Sequence, residues 1–179
     1  MEKFIVVDGL TESEISFIQN RDSFYLASIG IKEFPYIQHR GGPKGFLKII
    51  DKKRIGLLDF TGNKQYVSVG NIATNNDISL IMIDYPTRMR LKIFAKAEIV
   101  EFGDNSKLYD QLDLENYKFR PERIMVFHIE TYDCNCPQHI KPRYTVDEIN
   151  EVFIPQKEYI KKLEGKIKEL KEKIKLQNT

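Results

Sequence analysis

Short apolar runs, each bounded by Gly, Pro, Asn or Asp, dominate the first 135 residues. Seven of them are rich in Ile, Val, Phe and Tyr and predict β-strands over 24–31, 35–39, 46–50, 54–60, 78–84, 89–100 and 124–131. Asp51-Lys-Lys53 joins the third run to the fourth, and Tyr85-Pro86-Thr87 joins the fifth to the sixth. Ahead of the first run, Thr11 and Glu14 stand at the spacing of a capping box, and Ile15, Phe17 and Ile18 follow as an apolar stripe, so 11–20 predicts a short helix. Residues 65–75 read as a short helix or an irregular crossover, with Gly70 weakening the helical pattern. Many short strands with one helical crossover predict a mainly β barrel rather than an α/β fold.

The tail has a different period. Ile160, Leu163, Ile167, Leu170 and Ile174 recur at spacings 3, 4, 3, 4, a heptad seam with Ile at one core position and Leu at the other. Glu158–Lys162, Glu164–Lys168 and Glu169–Lys173 are (i, i+4) pairs in the better orientation. Against pairing stand Gly165, which costs about 1 kcal/mol relative to alanine, and Lys166, which would face Lys171 of a parallel partner. The predicted division is a barrel domain over 1–152 and an amphipathic helix over 153–179, which either pairs as a coiled coil or lies on its own barrel.

The chain has 179 residues, 41% hydrophobic and 30% charged, with a formal net charge of +2. From Pro155 onward there are eight Lys against four Glu, a surplus of +4 that leaves −2 for residues 1–154. That balance gives the barrel no basic excess for capturing nucleic acid, and no apolar run approaches the length of a membrane span. Cys134 and Cys136, separated by one residue, would staple almost nothing, so the composition predicts a cytoplasmic protein.

Four segments carry candidate chemistry. In the first, His39, Arg40 and Lys44 flank a Gly41-Gly42-Pro43 turn whose backbone amides could approach an anion, although P-loop spacing is missing. In the second, Thr61, Lys64 and Gln65 lie where the fourth strand gives way to the crossover helix, whose N-terminus suits a phosphate. In the third, strand alternation puts Arg88, Arg90 and Lys92 on one face and Met89, Leu91 and Ile93 on the other. In the fourth, Cys134, Cys136 and His139 have poor spacing for structural zinc, so no metal is expected.

Each segment alone also fits a plain hairpin, helix cap or wet sheet face. Their order is more specific. A hairpin ending in Phe46-Leu47-Lys48, then Asp59-Phe-Thr-Gly-Asn-Lys-Gln-Tyr66, an apolar strand over 78–86, and Arg88-Met-Arg-Leu-Lys92 resembles the pyridoxamine 5′-phosphate oxidase-like FMN-binding split barrels over about residues 20–140. The resemblance implies a six-stranded split barrel that forms a homodimer, with non-covalent FMN in each of two clefts at the subunit boundary. It places Lys48 near the flavin ring and Thr61, Lys64 and Gln65 at the phosphate loop. Arg88, Arg90 and Lys92 correspond to a polar strand beside the cofactor. The arginine that opens the family's lysine-ending strand falls near Pro43, so Arg40 or Lys44 would have to substitute. The family's C-terminal Arg-x-His-x-Arg is replaced by a loop containing Cys136, Gln138 and His139, expected on the substrate side, which argues against pyridoxamine phosphate as the substrate. The implied activity is an FMN-dependent oxidoreductase for a small molecule. The alternative is a non-catalytic flavin-binding or sensing module whose tail helix serves association.

Overall fold

Alternation along the strands decides which side of the sheet becomes the core. In β1 (Ser23–Ile29), Phe24, Leu26 and Ser28 are buried while Tyr25 and Ile29 face out. β5 (Asp77–Asp84) turns Ile78, Leu80 and Met82 inward, and β6 (Met89–Val100) turns Leu91, Ile93, Ala95 and Ala97 inward. Arg90 and Lys92 occupy the opposite face of β6, as the alternation predicts. The computed structural model describes residues 8–31, 33–62, 64–101, 103, 105–115, 117–135 and 138–177.

All seven predicted strands form, and they join one antiparallel sheet in the order β2-β1-β5-β6-β7-β4-β3. β2 is Pro35–Gly41, β3 Lys48–Asp51, β4 Arg54–Phe60 and β7 Pro121–Asn135. The fold class is the mainly β barrel expected, with seven hydrogen-bonded strands where the resemblance implied six. The sheet curls. β2 lies at one edge and β4 is next to the other, yet Arg40 of β2 bonds Asp59 of β4.

β4 and the start of β7 are covered on both sides. Ile55, Leu57, Met125 and Phe127 join the barrel core, whereas Leu58, Ile124 and Val126 pack outward under α3 (Ser106–Leu112), against Leu112, Leu108 and Phe119. This explains why β4 reads as a nearly continuous apolar run.

α1 (Glu12–Gln19) starts at the predicted capping box: the Thr11 side chain accepts from the Ser13 N–H, and Glu14 accepts from the Thr11 N–H at 3.0 Å. α2 (Val67–Thr74) is the crossover between β4 and β5. Ile72 anchors it in the core, and Asn71 Nδ2 donates to the buried Ser28 Oγ at 3.1 Å. Its free end therefore has one orientation relative to β1 and β2.

The residues divide into two units, 1–140 and 141–179. The second contains α4 (Val146–Gln177), a helix of 32 residues with Pro155 inside it. A second capping box opens α4, with the Thr145 N–H donating to Glu148 Oε2 at 2.7 Å and the Glu148 N–H donating back to Thr145 Oγ1 at 3.2 Å. Residues 146–152, placed with the barrel domain on sequence grounds, are thus part of this helix. No helix among the described residues is long and apolar enough to cross a membrane.

Candidate functional site

A polar cluster sits where the end of β4, the middle of β2, the first residues of β7 and the N-terminus of α2 meet. Asp59 is 5% exposed at the end of an otherwise apolar strand. Burying a carboxylate requires cationic partners. Arg40 supplies one, and Arg123 Nη1 stands 3.9 Å away on the other side. Arg123 also donates to Glu122 at 3.2 Å and lies over the Tyr66 ring at 4.6 Å. The Tyr66 hydroxyl donates to Glu122 at 3.2 Å. On the β2 side, Ser68 of α2 donates to Gln38 Oε1 at 2.7 Å, and that oxygen also accepts from Arg40 at 3.3 Å.

The loop leading into α2 is unusual. Lys64 (φ 59°) and Tyr66 (φ 49°) both adopt left-handed backbone, a conformation that costs non-glycine residues on the order of 1 kcal/mol or more each. Tyr66 is the N-cap of α2 and makes no side-chain cap bond, so the first amides of α2 are not closed off by its own cap residue. A cavity of about 50 Å³ opens here, lined by Arg40, Asp59, Lys64, Tyr66 and Ser68 among others. It is large enough for a phosphate-sized group and too small for a flavin ring.

The charges in the buried part balance: Arg40 and Arg123 against Asp59 and Glu122. Any surplus positive potential at the cavity comes from Lys64 and the α2 N-terminus. Arg40 Nε and Arg123 Nη1 are buried N–H groups without a hydrogen-bond partner. Unmet buried donors are expensive, roughly 1–3 kcal/mol each, and two of the three such atoms found among the described residues belong to this cluster. A donor set of this kind fits the oxygens of a phosphate.

The expected site residues divide into groups. Arg40 and Lys64 come together at the cavity, with Thr61 and Gln65 in the adjoining loop. Thr61 is engaged elsewhere: both its N–H (3.0 Å) and its hydroxyl (2.9 Å) donate to the Arg120 carbonyl. Lys48 opens β3 opposite Gly56. Arg88, Arg90 and Lys92 do not line the cavity. Arg88 sits in the β5–β6 turn with φ 60°, Arg90 Nε is buried without a partner, and Lys92 pairs with Asp133 at 3.0 Å. Gln138 and His139 are exposed, and Cys136 lies outside the described residues.

The Gly-Gly-Pro turn has a packing role instead of an anion-binding one. The Gly42 and Gly45 amides donate to the Asp22 and Arg21 carbonyls at 2.9 and 3.2 Å, and a Cβ on Gly42 would stand 2.7 Å from the Phe46 ring. Asp59, Tyr66, Ser68, Glu122 and Arg123 were not foreseen as members of one site. The available signal was Asp59, a charge inside the apolar run 55–60 that needs a partner if the strand is buried.

Cys134 is exposed, but its surroundings disfavour the thiolate. Partial burial of the sulfur, then the Glu14 carboxylate 3.8 Å away, push the thiol up to about 11. In a Cys136→Ser variant, alkylation of Cys134 by iodoacetamide should therefore be slow at about pH 8 and rise roughly tenfold per pH unit until the thiol ionises. Glu14→Gln should move that rise to lower pH. A rate that levels off below about pH 9 would contradict this environment.

No family model matches the chain, and no curated protein matches it. Solved structures do. A protein from Lactobacillus delbrueckii described as a candidate pyridoxamine 5′-phosphate oxidase superposes with a TM-score of 0.56 at 22% identity, over 73% of this chain and 98% of that one. HupZ from Group A Streptococcus superposes with a TM-score of 0.57 at 16% identity, over 75% and 100%. The fold is that of the pyridoxamine 5′-phosphate oxidase-like split barrels. An FMN-binding protein from Syntrophomonas wolfei shares it, with a TM-score of 0.51 at 14% identity over 69% of this chain and 87% of that one. In this split barrel the polar cluster lies where edge strand β2 comes back toward β4.

Proposed function

We propose that this split barrel is a cytoplasmic FMN-binding protein, working as a homodimer and as an oxidoreductase on a small molecule. The observation that carries the reading is the cavity at the start of α2. It gathers Lys64, uncapped helix amides and Arg40, whose buried Nε has no hydrogen-bond partner. These would hold the phosphate, with Thr61 and Gln65 beside them. Because the cavity takes only the phosphate end, the ring would lie outside it, with Lys48 nearby and a second copy covering the exposed side. Arg88, Arg90 and Lys92, on the β5–β6 turn and outer face of β6, would come from that second copy. The loop of Cys136, Gln138 and His139 would border the substrate. Bound FMN would supply hydride or single-electron transfer, and the chain's residues would bind it, orient it and limit water. The S. wolfei structure, described as FMN-binding, supports the cofactor assignment.

Ligand released from purified protein should have the mass and fluorescence of FMN. On flavin-stripped protein, Lys64→Ala should weaken FMN binding about 10–100-fold, the loss of one charge-assisted contact. An unchanged affinity in a fluorescence titration would remove Lys64 from the phosphate site. The second reading, a non-catalytic flavin module, draws on α4, an apolar-seamed helix of 32 residues outside the barrel unit. Reduction of the bound flavin by NADH or NADPH, followed by substrate-dependent reoxidation, separates the two.

A further inference from the structure

The start of α4 at Val146 changes what its apolar positions can do. Val146, Ile149 and Phe153 fall into the same 3, 4 spacing as the seam that begins at Ile160, with Gln156 at the intervening position. The heptad pattern therefore runs through the whole helix, four complete heptads from Val146 to Ile174, about 42 Å at 1.5 Å per residue. All the apolar seam residues remain substantially exposed, from Leu163 at 39% to Val146 at 73%.

We propose that α4 pairs with α4 of a second copy of this chain as a parallel two-stranded coiled coil. The width of the stripe selects this over packing against a globular surface, which uses a broader face that includes e or g positions. Beyond residue 156 the flanking positions are Lys157, Tyr159, Glu164, Lys166, Lys171 and Lys173, so only the a and d rows are consistently apolar. Pro155 and Gly165 fall at outer positions and leave the seam unbroken. Covering eight half-exposed seam residues on each helix would bury on the order of 1,000 Å² in total, the size at which an interface becomes specific.

Orientation follows from the core. For helices running parallel, Ile at a (160, 167, 174) with Leu at d (163, 170) is the arrangement that favours two strands. A parallel pair also sets Gln156 against Gln156 of the second copy, where two amides can bond each other. In the antiparallel register that matches a to d, Gln156 would instead face Ile167 and leave a buried amide unmet. The opposing term is Lys166 against Lys171, an exposed pair on flexible stems that is worth little either way. The pairing concerns α4 alone and stands whether or not the flavin reading does.

The test uses the full chain with Cys134→Ser and Cys136→Ser as background. Leu163→Cys and Leu170→Cys, each at a seam position, should convert almost completely to a covalent dimer with oxidised glutathione as the oxidant. Glu172→Cys, on the outer face, should remain mostly monomeric on a non-reducing gel. If the barrels pair while the helices stay apart, neither seam variant links and the proposal falls. Equal linking of Glu172→Cys and the seam variants would show random collision and would also overturn it. Linking only between a Phe153→Cys chain and a Leu170→Cys chain mixed together would establish the antiparallel arrangement and overturn the parallel one.

Discussion

Replacing Arg40 with Met should destabilise the barrel by about 3–5 kcal/mol, the usual loss when one partner of a buried ion pair is removed. Asp59 is 5% exposed, and the Arg40 side chain is 11% exposed. Without Arg40 the nearest cation is Arg123 at 3.9 Å, and that guanidinium is already shared with Glu122. The carboxylate would be left in a desolvated pocket with inadequate compensation, or β2 would move away to admit water. The Arg40→Met/Asp59→Leu double variant should recover most of the loss, because it removes both desolvation penalties and leaves apolar volume. Urea unfolding of flavin-stripped protein is the measurement, so that lost ligand binding does not enter the comparison. A single-variant loss below about 1 kcal/mol would mean that the pair behaves as a solvated surface bridge. The stakes extend beyond stability, since this pair joins edge strand β2 to β4 across the split and holds the wall of the candidate phosphate cavity.

The barrel was legible because its signals are local. β1, β5 and β6 each have a buried row at period two, as in Phe24, Leu26 and Ser28, and the apolar runs are bounded by residues that turn the chain. Thr11 and Glu14 announced α1 for the same reason. The start of α4 was obscured by Pro155, which marks a helix boundary more often than a helix interior. Thr145 and Glu148 carried the same capping signal as α1, ahead of that proline. β7 begins at Pro121, three residues before its apolar run, because proline is tolerated as the first residue of a strand.

The site was less legible because its members meet only through the curl of the sheet. Arg40 and Lys64 were named from separate motifs, and the fold brings them to one cavity. What periodicity cannot reveal is that Arg40 is already neutralised. Asp59 looks like an ordinary strand-end acid in one dimension and becomes the buried counter-ion of two arginines in three. Arg90 and Lys92 share one face of β6, whereas Arg88 lies in the turn before the strand and not on that face; a face has no partner until a second surface is placed against it. Within one chain Lys92 meets Asp133.

The other large effect belongs to the aromatic centre of the barrel. Phe24→Ala should cost about 3–5 kcal/mol, the range for removing a fully buried ring. Phe24 is 1% exposed, stacks on Phe46 with centroids 5.7 Å apart, and meets the edge of Phe127 at 6.3 Å. These contacts join β1, the turn before β3, and β7, three parts of the chain that share no hydrogen-bonded strand pairing. Closing the void would require movement of Phe127 or of the stacked ring, Phe46. Gly42 is packed against that ring, and the Gly42 and Gly45 amides are tied to Asp22 and Arg21, so relaxation is restricted and the cavity term should be close to full. For a chain of this size the melting temperature should fall by roughly 10 °C, at 2–4 °C per kcal/mol. Phe24→Leu should recover much of it, since Leu refills most of the apolar volume without the stacking. If Phe24→Ala and Phe24→Leu proved equally mild, the three rings would not be acting as one packed unit, and the barrel's rigidity at the phosphate cavity would have to come from the polar cluster alone.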